Sequence, residues 1–558
     1  MVMADTLKLA LAQLNPTVGA IRANAALVRD ARDKAAAEGA NLLITGELVL
    51  CGYPPEDLVY RPAFLDMIES ELQALAALTA DGGPALLVGA PWRQNGAVYN
   101  AALVLDGGVI QDIILKHHLP NYGVFDEVRV FSAGPLPQPV TVRGVRMGVM
   151  VCEDMWFPDV SRSLACNGAE LLVVLNGSPW ELDKIAERQQ HAAARVGETG
   201  LALVYVNQVG GQDELVFDGS SFVLGCDAAV CHAASPWDEG VTFCTWSRRD
   251  ARWWPDGGAS SLAAYPRREE YIYRALVLGL RDYVTKNGFP GVLLGLSGGI
   301  DSALSAAIAV DALGADRVWC VMMPSVYTSR ESLDDAAEVA RLLGCRLDTI
   351  PIAPAVEAWD QMLAPLFSGH LPDITEENLQ SRTRGVILMG LSNKFGPMVL
   401  STGNKSEMST GYATLYGDMC GGYSVLKDIY KTTVFAVSEW RNSCCSQGLL
   451  GPAGPVMPRR VIDKPPTAEL RHDQKDEDSL PPYPVLDSIL EQLIEERKSV
   501  SAVAAETDYP HAEVERVWML LNRAEYKRRQ APPGVKITRC AFGRERRYPL
   551  TNAFVKLA

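Results

Sequence analysis

The segment Val292-Leu293-Leu294-Gly295-Leu296 runs straight into Ser297-Gly298-Gly299-Ile300-Asp301-Ser302, and an alanine-rich stretch from Ala303 to Val310 follows. A short apolar run closed by a Gly-Gly turn reads as a buried strand, and the stretch behind it as a helix. The next apolar run, Val318 to Met323, supplies a second strand. Strand, loop, helix, strand is the βαβ unit, whose crossover demands a parallel sheet covered by helices. The loop also carries chemistry. Backbone N–H groups of a glycine-rich turn that opens a helix can approach phosphate, and the helix dipole favours the anion. The Gly-Lys-Ser/Thr ending of the common phosphate-binding loop is absent here.

A second α/β region precedes this one. Leu7, Leu9, Leu11 and Gln13 fall on one face of a strand, and Lys8, Ala10, Ala12 and Leu14 on the other. A helix is expected from about Ile21 to Glu38, with strands at Leu42–Ile44, Ala85–Val88, Ala101–Leu105, Val145–Val151 and Leu171–Leu175. With 558 residues the chain exceeds what one hydrophobic core serves. The expected organisation is a first domain over 1–245, a connector over 246–265 around Trp253-Trp254-Pro255, and a second domain over 266–558. Long loops are expected between Leu449 and Pro484.

Hydrophobic residues make up 48% and charged residues 21%, the balance of a folded protein. A net charge of -15 opposes general nucleic-acid binding. No run approaches the roughly 18 apolar residues of a membrane span, and the start lacks a signal peptide's pattern. The twelve cysteines are scattered, apart from Cys444-Cys445, so reduced thiols in a cytoplasm are expected. His117 and His118 are adjacent, which in a strand sends them to opposite faces and argues against a shared metal.

Cys152, in Val151-Cys152-Glu153-Asp154, stands at the end of an expected strand and before an expected helix. A thiol attacks an amide only as thiolate, and so needs a base and an oxyanion partner. Glu47 follows one apolar run and Lys116 another. In this order the region resembles the nitrilase, or carbon-nitrogen hydrolase, superfamily over about residues 5–245, with its Glu-Lys-Cys triad. That resemblance implies an αββα sandwich, with Cys152 as nucleophile, Glu47 as general base, Lys116 beside the oxyanion and Glu127 as a supporting second glutamate. The stretches Cys51–Leu58 and His118–Glu127 look like the glutaminase domain of glutamine-dependent NAD synthetases. By that likeness Tyr122, Ser178 and Lys184 would hold glutamine.

The hexapeptide Ser297–Ser302 resembles the PP-loop of ATP pyrophosphatases, with the adenine nucleotide α-hydrolase-like doubly wound fold. Within that group, Met322–Ser325, Glu377–Arg384, Ser401–Glu407, Tyr416–Asp418 and Lys464–Leu470 are similar to the NAD synthetase family. The resemblance implies ATP contacts from Gly295, Leu296, Ser297, Gly298, Gly299, Ile300, Asp301, Ser302 and Thr402. It also implies deamido-NAD contacts from Asn378, Glu407 and Lys527, and magnesium held by Asp301 and Glu407. Lys431 and Thr467 are weaker candidates for phosphate. Leu415 stands where ammonia-dependent relatives carry lysine.

The implied reaction is a ligase reaction using ATP, L-glutamine and deamido-NAD, with Mg2+ accompanying ATP. A thiol frees ammonia, ATP adenylates the nicotinate carboxylate, and ammonia displaces AMP to give the amide. An enclosed ammonia path and a homo-oligomer, often an octamer, are further implications. The alternatives are a PP-loop amidotransferase for another acceptor and a non-catalytic nucleotide-sensing protein.

Overall fold

The computed structural model describes residues 6–250, 252–256, 267–443 and 448–554. Cys444-Cys445 and the end of the expected connector lie outside the described residues. The chain divides into two units, Met1–Tyr265 and Pro266–Ala558.

Among the described residues the first unit holds fifteen strands. These are β1 (Thr6–Gln13), β2 (Leu42–Ile44), β3 (Ala85–Gln94), β4 (Ala97–Asp106), β5 (Val109–Leu115), β6 (Val140–Val142), β7 (Val145–Val151) and β8 (Leu171–Asn176). Then come β9 (Leu203–Asn207), β10 (Val209–Gln212), β11 (Leu215–Asp218), β12 (Phe222–Leu224), β13 (Val230–Ala233), β14 (Gly240–Arg249) and β15 (Arg252–Pro255). One sheet runs β15-β14-β1-β2-β3-β4-β5 and the other β13-β12-β9-β8-β7-β6.

Alternation along each strand decides which layer a side chain joins. Leu7, Leu9 and Leu11 meet Val149, Val151, Val173 and Leu175 between the two sheets. Ala10, Ala12 and Leu86 turn outward onto α1 (Ile21–Ala37) and α2 (Pro62–Leu78). A four-residue α3 (Glu127–Val130) follows β5. On the far side Met150, Leu172 and Val174 pack on α4 (Pro158–Cys166) and α5 (Lys184–Thr199). The result is the αββα sandwich, with apolar residues on both faces of the central parallel strands.

Two expectations change. Residues 246–249 and 252–255 are strand rather than connector: β14 pairs antiparallel with β1 over Gly240–Ser247 and with β15 over Trp246–Arg249. Here the inward positions are the fully buried Trp246 and Trp253, separated by serine and arginine, so the alternation is not written in aliphatic residues. His117 and His118 lie after β5 in irregular chain, not in a strand, and their rings meet edge to face at 4.6 Å.

The second unit opens with α6 (Arg268–Lys286) and then carries β16 (Val292–Gly295), α7 (Ile300–Leu313), β17 (Val318–Met322), β18 (Arg346–Thr349), β19 (Met398–Ser401) and β20 (Tyr423–Ser424). The sheet is parallel throughout, in the order β18-β17-β16-β19-β20. Its direction of progression reverses between β16 and β19, and ligands of open α/β sheets bind at the carboxyl ends of strands flanking such a reversal. Leu293, Val321 and Val399 meet Leu388 of the helix Ile374–Phe395 on one face. The C-terminal helices Tyr483–Ile494, Val500–Glu506 and His511–Arg523 form a separate apolar cluster that also holds Met408 and Met419. Between Leu449 and Pro484 only the short helix Arg459–Asp463 and one 3-10 turn interrupt irregular chain.

One buried ion pair anchors α7. Asp311 accepts from Arg441 at 2.6 and 3.0 Å and from the hydroxyl of Tyr273. Leaving Arg441 buried without its partner is expected to cost about 3–5 kcal/mol. Asp311→Ala should therefore lower the stability of the second unit, measured by denaturant unfolding, by that amount. A change within about 0.5 kcal/mol would show that the pair holds nothing together.

Candidate functional site

Each unit carries a site at the carboxyl ends of its parallel strands. In the first, Glu47 follows β2, Lys116 follows β5, Glu127 opens α3, and Cys152 follows β7. The sandwich brings all four together. The ammonium of Lys116 lies 2.6 Å from Glu47 Oε1 and 2.8 Å from Glu127 Oε1. Glu47 and Lys116 are wholly buried, and Cys152 is 4% exposed. Three further donors complete the cluster: Gly177 N–H donates to Glu47 Oε2 at 2.9 Å, Asn100 Nδ2 to Glu47 Oε1 at 2.7 Å and to Glu127 Oε2 at 3.4 Å, and the Tyr53 hydroxyl to Glu127 Oε1 at 2.9 Å. A Cβ at Gly177 would stand 3.1 Å from both Glu47 Oε2 and the Tyr53 ring, a tight approach that would press on both side chains.

Charge at this spot is unbalanced: one ammonium faces two carboxylates. Burial, opposed by Lys116, lifts Glu127 to about 7. Burial and the nearby Glu47 carboxylate push the Cys152 thiol well above its ordinary range, with Lys116 only partly opposing them. The thiol is therefore protonated at rest. Cys152 also holds a φ of 46°, in the left-handed region disfavoured for a side-chain-bearing residue, and strain of this kind gathers at functional turns.

Asp154 fixes the relation between two of these segments. It accepts the backbone N–H groups of His117 at 3.0 Å and His118 at 2.8 Å, and that of Val151 at 3.0 Å. The chain carrying Lys116 is thus tied to the turn carrying Cys152. Tyr122 donates to both oxygens of Glu153 at 3.1 Å. Lys184 lies over the Trp156 ring at 4.4 Å and 3.0 Å from Glu187. Ser178 is engaged by Arg188, whose Nε reaches its hydroxyl at 3.0 Å. Sequence reasoning missed Asn100, Tyr53, Glu153 and Asp154; the last two flank Cys152, which was their only visible signal.

In the second unit a cavity of about 300 Å³ opens at the ends of β16 and β19. Gly295, Leu296, Ser297, Gly299, Ile300, Asp301, Ser302, Thr402 and Glu407 line it, as do Lys431 and Thr467. Gly298 shapes the loop: its φ is +86°, and a Cβ there would sit 2.3 Å from the Ser332 carbonyl. The Ser302 hydroxyl donates to Gly299 O at 2.9 Å and accepts from Ser297 N at 3.2 Å, which closes the turn at the start of α7.

Here again an ammonium stands between carboxylates. Lys431 Nζ is 2.5 Å from Asp301 Oδ2 and 3.4 Å from Glu407 Oε1. Asn404 donates to Asp301 Oδ1 at 2.8 Å. Burial lifts Glu407 to about 8, against the pull of Lys431, so the spot is short of positive charge. Two carboxylates with that deficit fit a hard divalent cation with oxygen ligands.

Asn378 and Lys527 are placed differently from the phosphate loop. Asn378 Oδ1 accepts from the Thr414 hydroxyl at 3.0 Å. Lys527 Nζ donates to the carbonyls of Gly411 and Ala413 at 2.7 and 2.6 Å. Both hold the loop whose Tyr412, Ala413, Gly417 and Asp418 line the cavity. Leu415 packs on the C-terminal helical cluster, and its carbonyl accepts from Arg382.

Comparison with known proteins matches a family to each unit. The carbon-nitrogen hydrolase family matches residues 8–256 and the NAD synthase family residues 272–531. The fold and sites therefore define a nitrilase-superfamily glutaminase joined to an NAD synthase domain in one chain. A glutamine-dependent NAD(+) synthetase of Rhodobacter capsulatus is 51% identical over 99% of both chains, and one of Xanthomonas campestris is 48% identical over 99% of both. A solved structure of the Acinetobacter baumannii glutamine-dependent NAD+ synthetase, in complex with ADP, is 43% identical and superposes with a TM-score of 0.77, covering 98% of this chain and 99% of that one. The chain belongs to the glutamine-dependent NAD(+) synthetases and is a ligase.

A stability measurement tests the charge balance at the second site. Glu407 titrates near 4.5 when unperturbed and near 8 when folded, so its contribution to stability is full below about 4.5 and is lost as pH rises through about 8. Glu407→Gln imitates the protonated form. Urea unfolding of the second unit should then weaken less with rising pH in the variant than in the wild type. Parallel pH profiles would show that Glu407 does not hold the extra proton.

Proposed function

We propose that the buried Glu47-Lys116-Cys152 cluster hydrolyses glutamine, and that the cavity at Ser297–Ser302 joins the resulting ammonia to ATP-activated deamido-NAD. The observation that carries the reading is the Lys116 ammonium held at 2.6 and 2.8 Å by two buried carboxylates beside a protonated cysteine.

Because Cys152 does not ionise unaided, its proton must leave as sulfur attacks. Glu47 takes that proton, sulfur bonds to the amide carbon, and the oxyanion develops beside Lys116. As the tetrahedral species collapses, the C–N bond breaks and Glu47 returns the proton to the departing ammonia. Water then attacks the thioester, giving its proton to Glu47, and glutamate leaves as the thiol is restored. Tyr122, Ser178 and Lys184 surround this step as the glutamine pocket, and Glu127 steadies Lys116.

In the second unit the backbone of Gly295–Ser302 and Thr402 receives ATP. The nicotinate carboxylate of deamido-NAD attacks the α-phosphorus, and pyrophosphate leaves. Ammonia adds to the acyl-adenylate carbon and AMP departs, forming the amide of NAD. Asp301 and Glu407 would hold Mg2+, which supplies charge neutralisation for the phosphates when bound. Asn378 and Lys527 act by positioning the loop at Gly411–Asp418 against the dinucleotide. Ammonia in neutral water is mostly protonated and not nucleophilic, so the nitrogen passes between the reactions without equilibrating with solvent.

Cys152→Ala separates the halves. Glutamine-driven NAD formation should fall by roughly a thousandfold or more, while synthesis from an ammonium salt persists near the wild-type rate. Glutamine-driven turnover surviving in that variant would remove Cys152 from the reaction. Failure of wild-type protein to amidate deamido-NAD from either nitrogen source would remove the synthetase assignment.

A further inference from the structure

Beside the glutaminase cluster, three side chains from two segments converge without serving the amide chemistry. His117 and His118 follow Lys116, and Asp159 lies in the first turn of α4. One ligand atom from each of the three lies within 4.8 Å of the others. His118 Nε2 is 2.9 Å from Asp159 Oδ1, and His117 Nε2 is 4.0 Å from Asp159 Oδ2. Ligands about 2.1 Å from a tetrahedral ion stand about 3.4 Å apart, so these separations bracket the required spacing. Small side-chain rotations would equalise them.

The protonation pattern at His117 also suits a metal, while His118 Nε2, 2.9 and 3.0 Å from the two Asp159 oxygens, carries a proton that metal binding would release. His117 Nδ1 lies 2.7 Å from the carbonyl of Gly134. A carbonyl only accepts, so the ring proton sits on Nδ1 and the lone pair of Nε2 points toward Asp159. A bond from the far ring nitrogen to a carbonyl is the usual support for a metal-ligating histidine. The Asp154 carboxylate holds both backbone N–H groups, which fixes the segment from which the two imidazoles project before any ion arrives. The three side chains are 28%, 25% and 47% exposed, so an ion can reach them from solvent.

We propose that His117, His118 and Asp159 form a binding site for a borderline divalent transition cation of the Zn2+ class, distinct from the Asp301/Glu407 site. Two imidazoles and one carboxylate select such an ion over Mg2+ or Ca2+, which prefer oxygen. Three protein ligands leave a fourth position to water. Binding links α4 to the segment that carries Lys116.

The test uses untagged, full-length protein stripped of metal. Zn2+ is titrated in competition with a chromophoric chelator, and Co2+ binding is followed by its d–d absorption. Wild-type protein should take up one ion per chain at this site. His118→Gln and Asp159→Asn should each weaken that binding by about tenfold or more, while urea unfolding of the first unit reports that both variants are folded there. A large excess of Mg2+ should leave the bound Co2+ spectrum unchanged. Equal Zn2+ affinity in wild type and variants would overturn the proposal, and so would displacement of Co2+ by Mg2+. The wild-type spectrum is decisive by itself in one case: a thiolate-to-cobalt charge-transfer band without imidazole-type d–d bands would assign the ion to cysteine and overturn the site.

Discussion

The ammonium of Lys116, with no contact to solvent, is the interaction on which the glutaminase unit turns. Removing an ammonium from water costs several kcal/mol, and only close anions can offset it. Glu47 and Glu127 do so, but together they bring one negative charge too many. Burial, with that surplus added, keeps a proton within the cluster: Glu127 is lifted to about 7 and the Cys152 sulfur stays protonated. A site that stabilised a permanent thiolate would need an excess of positive charge. This one holds a neutral thiol beside a carboxylate, an arrangement suited to proton transfer in step with attack.

The synthetase unit repeats the arrangement with a different outcome. Lys431 bridges Asp301 and Glu407 as Lys116 bridges Glu47 and Glu127, and again one carboxylate is driven upward, to about 8. No nucleophilic thiol shares this cluster, and its carboxylates border the glycine-rich loop at the start of α7. A cation accompanying phosphate would meet this deficit of positive charge. Two unrelated folds thus share one arrangement, a buried lysine outnumbered by acids.

Much of this architecture was legible because parallel strands buried on both faces write themselves as apolar runs. Leu42–Ile44, Val145–Val151, Leu171–Leu175 and Val292–Leu296 stood out for that reason, as did the polar ends of those runs, where Glu47, Cys152 and the phosphate loop sit. β14 and β15 did not, because their inward residues are Trp246 and Trp253 among arginines and serines. Asn100 and Tyr53 were invisible because their roles come from tertiary hydrogen bonds, which no local spacing encodes. The two histidines were misjudged because strand geometry was assumed where the chain is irregular. Lys527 shows the reverse limit: its resemblance to a ligand-binding lysine gave no sign that its ammonium closes the loop at Gly411–Ala413.

Asp154 explains how a loop can hold catalytic geometry without a helix or strand of its own. Both its oxygens are used, one by His117 and His118 and the other by Val151. Hydrogen bonds to a buried carboxylate are stronger than neutral ones and cost more to break singly. The position of Lys116 is therefore set from both ends, by β5 before it and by Asp154 after it. The Cys152 turn is set by β7 and by the same aspartate, which gives the strained φ of Cys152 a local counterweight. Cys152 and Lys116 consequently share one support, because the Asp154 carboxylate ties together the two segments that carry them.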